Sequence, residues 1–123
     1  MEKFSNFARI AEIEYSDIVL SAQDLGAKLR IYLVDKSFVD FFYTTKLKSQ
    51  RFSLHWERSF IDATIYRIDN TPDSKWQHVS TFPIHFHNKI YGQVIHPPFT
   101  VEHTIVLEKI FRDLFQFVKE NIA

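Results

Sequence analysis

The chain has 123 residues, fifteen basic and fifteen acidic, with 13 Phe, 5 Tyr, only 2 Gly and no Cys. That length supports a single domain, residues 1–123, with one core. The balanced charge excludes a protein that works through a strong overall field on nucleic acid or membrane. The missing Cys excludes disulfides, thiolate nucleophiles and Cys-ligated zinc. No apolar run reaches the length of a membrane span, and Met1-Glu2-Lys3-Phe4 lacks the apolar core of a signal peptide, so the expected setting is cytoplasmic with no membrane partner.

In chain order, Phe4, Phe7, Ile10 and Ala11 have helical spacing, which predicts a short N-terminal helix from about Ser5. Ile13–Ala22 reads as extended, and Asp24-Leu25-Gly26 as a turn. In Ala27–Val34, Leu29, Ile31 and Leu33 alternate with Lys28, Arg30 and Tyr32, the pattern of a half-buried strand with a basic outer face. Asp35-Lys36-Ser37 turns the chain into Phe38–Thr45, a strand apolar on both sides, and the polar Lys46–Gln50 turns it again. Arg51–Arg58 sets Phe52, Leu54 and Trp56 against Arg51, Ser53, His55 and Glu57. Phe60–Ile68 sets Ile61, Ala63 and Ile65 against Asp62, Thr64 and Tyr66. Short connections between such strands give an antiparallel meander.

Asp69–Pro98 holds all four prolines and four of the six histidines with little periodicity, save a short strand near Lys89–Val94. Stretches of that length are more often functional than mere connectors. After Pro97-Pro98, Thr100 is placed to cap a long final helix, with Glu102 and Lys119 at the ends its dipole favours. Leu107, Ile110, Phe111, Leu114, Phe117 and Val118 form its apolar stripe. The fold expected is therefore α+β: an antiparallel four- to five-stranded meander with a short N-terminal and a long C-terminal helix packed on one face.

If the apolar strand faces meet the final helix, the other face gathers Lys28, Arg30, Tyr32, Arg51, Ser53, His55, Glu57, Asp62, Thr64 and Tyr66. Cations interleaved with rings suit single-stranded RNA, and His beside Glu suits proton transfer near neutral pH. A solvated outer face is the plainer account, because antiparallel sheets normally carry one. His85 and His87, two apart, share a side of an extended segment, and His78, His55 or Asp69 could complete a metal site with them. No His-Glu-x-x-His signature accompanies them, so no metal or cofactor is assigned. Trp56 and Trp76 read as packing residues. Phosphate loops, serine-nucleophile motifs and dinucleotide fingerprints are absent from the sequence.

Three segments, Phe52-Ser53-Leu54-His55-Trp56-Glu57, Tyr66-Arg67-Ile68-Asp69-Asn70-Thr71-Pro72 and Thr81-Phe82-Pro83-Ile84-His85-Phe86-His87-Asn88, are similar in order and spacing to the core of the TumE-like family. These are small toxin components of type II toxin–antitoxin pairs, and the likeness covers roughly residues 27–90. Carried over by position, it points to His55, Arg67, Asp69, Asn70, Pro72, His85 and His87. Asp73-Ser74 stands where many members carry a His pair, and Ile84 where many carry another imidazole or Lys.

The resemblance implies a neutralising antitoxin. Many bacterial toxins of this size, on RelE-like sheets with flanking helices, cut RNA using Arg, Lys, Tyr and His without metal. The leading expectation is thus a metal-independent endoribonuclease: His55 as base, His85 or His87 as acid, and Arg51, Arg67 or Lys28 stabilising the phosphorane, with Asp69 in the catalytic group. Lys28, Arg30, Tyr32, Arg51, Tyr66, Asn70 and His78 form the expected substrate-binding set. The partners expected are the antitoxin and RNA, with a homodimer compatible. Two other readings stay open: a non-catalytic protein-interaction module, and a metal-dependent hydrolase using the His-x-His segment.

Overall fold

The structure, a computed structural model, describes residues 3–44, 51–70, 84–87, 94–95, 97–99 and 106–122. A short helix α1 (Ser5–Arg9) runs on into a π-helical turn, Ile10–Glu14. Among the described residues a meander of seven strands follows in sequence order, every neighbouring pair antiparallel: β1 (Val19–Asp24), β2 (Leu29–Leu33), β3 (Phe38–Thr44), β4 (Arg51–Arg58), β5 (Thr64–Asp69), β6 (His85–His87) and β7 (Val94–Ile95). One helical turn, α2 (Ser59–Asp62), separates β4 from β5, and α3 (Leu107–Asn121) completes the described chain. The α+β class and the two flanking helices are as expected, and the sheet is wider than four or five strands.

Alternation drives the layering. Leu29, Ile31, Leu33, Val39, Phe41, Phe52, Leu54, Trp56, Ile68 and Phe86 turn to one face and join α1 and α3 in a single core. The aromatic excess is concentrated there: Phe7 and Phe111 lie 5.3 Å apart between ring centroids, and Phe41 meets Phe111 edge-on at 5.2 Å. Such pairs add about 0.5–1.5 kcal/mol each beyond their burial. On α3 the expected stripe faces the core, joined by Phe115; Phe117, partly buried, packs edge-on against Trp56, Tyr66 and Phe86.

Four expectations need correction. The segment read as extended from Ile13 is helical to Glu14 and becomes a strand only at Val19, because Ile10 and Ala11 continue the buried face of α1. The Asp24–Gly26 turn does form, with Gly26 at φ 89° and its N–H donating to Asp24 Oδ1 at 2.8 Å. Phe60–Ala63 is no strand: α2 and Ala63, at φ 64°, reset the alternation, so that Thr64, Tyr66 and Ile68 point inward. A one-residue change of parity moves every side chain to the opposite face. Thirdly, strand β6 lies within the stretch read as irregular, while β7 overlaps the end of the short strand expected near Lys89–Val94. Finally, α3 begins at Leu107, behind Val106, rather than at a Thr100 cap. Thr100, Glu102, Lys46–Gln50, Trp76, His78, Pro72 and most of the strand placed at Lys89–Val94 lie outside the described residues.

Candidate functional site

Pairing register decides which polar side chains meet. Across the sheet, Arg30 is opposite Asp40, Asp40 opposite His55, His55 opposite Arg67, and Arg67 opposite His87. Beside this row runs another: Phe42, Ser53, Asp69 and His85. Asp40, Phe42, Ser53, His55 and Arg67 of these rows occupy the face turned away from α3. Lys28, Asp40, Phe42, Ser53, His55 and Arg67 line an open depression of ≈ 300 Å³. Three residues singled out from sequence, Lys28, His55 and Arg67, thus share one concavity.

His55 has a defined partner. Its Nε2 lies 3.0 Å from Glu57 Oε1, and Glu57 in turn accepts the Ser59 N–H at 2.9 Å and the Ser59 hydroxyl. Burial pushes the Glu57 carboxyl up, but the bonds from Ser59 and His55 outweigh it and hold the group below its ordinary range. An ionised carboxylate only accepts, so Nε2 carries the ring proton and Nδ1 keeps the basic lone pair. The carboxylate also fixes the orientation of the ring.

The expected basic patch is partly cancelled. Asp40 accepts Lys28 Nζ at 2.8 Å and two guanidinium bonds from Arg30, at 2.8 and 2.9 Å. Burial raises the Asp40 carboxyl, yet Arg30 and Lys28 outweigh it and leave it depressed, while Asp40 raises Arg30. Arg30 also lies 4.1 Å over the Phe38 ring. Arg67 is different: its Nε is held by Asp69 at 2.9 Å, while the side chain stays 41% exposed at the depression.

The remaining expected residues divide. Arg51 is opposite Thr44 on the same outer face. The Tyr32 hydroxyl donates to Gln23 at 3.1 Å. Tyr66 belongs to the other face: it is 9% exposed and stacks on Trp56 at 5.1 Å, so the substrate contact expected of it is withdrawn. Asn70 is buried, and its Oδ1 accepts the Phe52 N–H at 2.9 Å, which ties the end of β5 to β4. Asp69 is buried in register with Ser53 and His85.

Sequence reading missed Asp40 and Phe42, because β3 looked apolar on both sides. The signal was the lone acid between Phe38 and Phe42 at period two. Among the described residues, no group of three or more His, Asp or Glu is arranged to hold a metal ion, and no helix is long and apolar enough to cross a membrane.

Comparison with known proteins adds one finding. A family model described as toxin TumE matches residues 2–122, nearly the whole chain. The chain therefore belongs to that toxin family. No curated protein and no solved structure matches it.

Proposed function

We propose that this member of the TumE family is the toxin of a type II toxin–antitoxin pair and that it cuts single-stranded RNA by acid–base chemistry on the sheet face turned away from α3. The observation that carries the reading is the register: a carboxylate-held imidazole, an exposed guanidinium and a second histidine stand opposite one another on three adjacent strands. At about 4.8 Å between strands, the His55 and His87 backbones are roughly 10 Å apart, a gap that a ribose and its phosphate can bridge.

His55 Nδ1 takes the 2′-hydroxyl proton, and the 2′-oxygen attacks the adjacent phosphorus. The guanidinium of Arg67 stabilises the added charge of the phosphorane. His87 protonates the departing 5′-oxygen, leaving a 2′,3′-cyclic phosphate and a free 5′-hydroxyl. His85 remains the alternative acid. Every proton has a side-chain source and sink, so the scheme requires no metal. Cytoplasmic RNA and a neutralising antitoxin are the matching target and partner.

The test is purified protein on synthetic single-stranded RNA, with and without chelator, beside His55→Ala and His87→Ala. Cleavage that survives chelation and fails in both variants is the expected result. Loss on chelation favours the metal-dependent hydrolase, and equal cleavage by His55→Ala removes the base assignment.

One observation favours the second reading, a protein-interaction module. Asp40 holds both Lys28 and Arg30 and cancels part of their charge, while Phe42, Phe60 and Ile61 are exposed. Tight binding of a protein partner across this face, with no turnover of RNA, would decide for it.

A further inference from the structure

The two rings expected to stack on bases do not line the depression. Tyr66 is in the core, and Tyr32 is bonded to Gln23. The aromatic side chain lining the depression is instead Phe42, 39% exposed among Lys28, Asp40, Ser53, His55 and Arg67. An exposed phenyl ring inside a polar concavity has no burial to justify it, since its strand neighbours Phe41 and Tyr43 pack toward the core and it does not. It stands one pair along from His55, because Phe42 is opposite Ser53 while Asp40 is opposite His55. Diagonal neighbours of this kind are about 7–8 Å apart, within reach of a large side chain. The ammonium of Lys3 lies 5.7 Å from the same ring, a second cation beside it for a phosphate.

We propose that Phe42 is the stacking platform for one unpaired nucleobase of the substrate, placing the attached ribose over His55. The inference rests on the RNA reading of the same face, and it narrows the substrate to RNA whose bases are splayed out of a helix. A duplex buries its base faces in its own stack and has none to offer the ring. Sequence tolerance at this contact follows, because every base has a π-face.

The experiment measures affinity for a fluorescent, non-cleavable 2′-deoxy oligonucleotide, and KM and kcat on the matching RNA, for wild type, Phe42→Leu, Phe42→Ala and Phe42→Trp. An exposed position tolerates each change, and circular dichroism checks that the fold survives. Stacking predicts that Ala and Leu both weaken binding roughly 5- to 150-fold and raise KM, that Trp restores it, and that duplex RNA binds poorly to all four. Leu binding as tightly as wild type overturns the platform while leaving the ribonuclease reading intact. Cleavage by wild type with no dependence on the ring does the same. Wild type that neither binds nor cuts single-stranded RNA overturns both.

Discussion

Two Arg–Asp clusters sit on this sheet, and they are built for opposite ends. At one end, Arg58 donates to Asp35 at 2.7 Å and to Asp62 at 3.3 Å, its guanidinium 4.7 Å over the Trp56 ring, whose Nε1–H donates to Ser37 Oγ at 2.9 Å. The β2–β3 turn and α2 close over it, so the Arg58 side chain is 5% exposed. At the other cluster, Arg30 and Asp40 on adjacent strands, and Arg67 two strands beyond Asp40, stand on a face that no described element covers; Arg30 is 27% and Arg67 41% exposed. The closed cluster spends its charges on holding the chain. The open one keeps a guanidinium and an imidazole in contact with solvent, where a ligand can reach them.

That contrast breaks most sharply at His55. Replacing it with Ala is expected to lower RNA cleavage on the order of 10²–10⁴-fold, the usual worth of a positioned acid–base group, while moving stability by less than about 1 kcal/mol. Kinetics and urea melts on the same preparation check both halves. A His55→Ala protein that unfolds as readily as it loses activity would place this residue with the structural cluster.

Arg58→Ala is the mirror image. Removing one partner of a buried ion pair strands the other, at a cost of about 3–5 kcal/mol. The expected result is a large drop in the urea midpoint with an unchanged slope, and cleavage per folded molecule near that of wild type. Arg58→Lys keeps charge but loses the fork that reaches two carboxylates, so it falls between.

Tyr66 tests which parts of this were legible beforehand. The strands β2 and β4 were readable because their alternation is unbroken, and α3 because its stripe repeats at 3.6. The face of β5 was not, because α2 and the left-handed Ala63 change parity by a turn that no apolar pattern announces; Asp62 accepting the Thr64 N–H at 3.1 Å is a local bond, visible only once the chain has bent. His55, Arg67 and His87 could be picked from sequence, yet their opposition across three strands depends on register. Tyr66→Phe is accordingly expected to leave cleavage unchanged, and Tyr66→Ala to cost about 3–5 kcal/mol by opening a cavity beside Trp56 and Phe117. A binding defect in Tyr66→Phe would return the residue to the outer face.

The smallest expected effect, and the sharpest test of the open cluster, is Asp40→Asn. Asp40 is depressed below its ordinary value of 3.8, so it binds its proton more weakly in the folded chain than in the unfolded one. Its contribution is complete above the unfolded value and is lost as pH falls through the folded one. Wild type should therefore exceed Asp40→Asn by about 1–2 kcal/mol near pH 7, with the gap closing in strongly acidic solution. RNA binding should move the opposite way. Without the carboxylate, Lys28 and Arg30 are freed for phosphates, so affinity rises and the salt dependence steepens by about 0.7 in log–log slope for each new phosphate contact. A weaker fold with tighter, more salt-sensitive binding identifies Asp40 as a brake on the patch. A weaker fold with weaker binding means that Asp40 holds the two cations where the substrate needs them, which joins part of the open cluster to the structural class represented by Arg58.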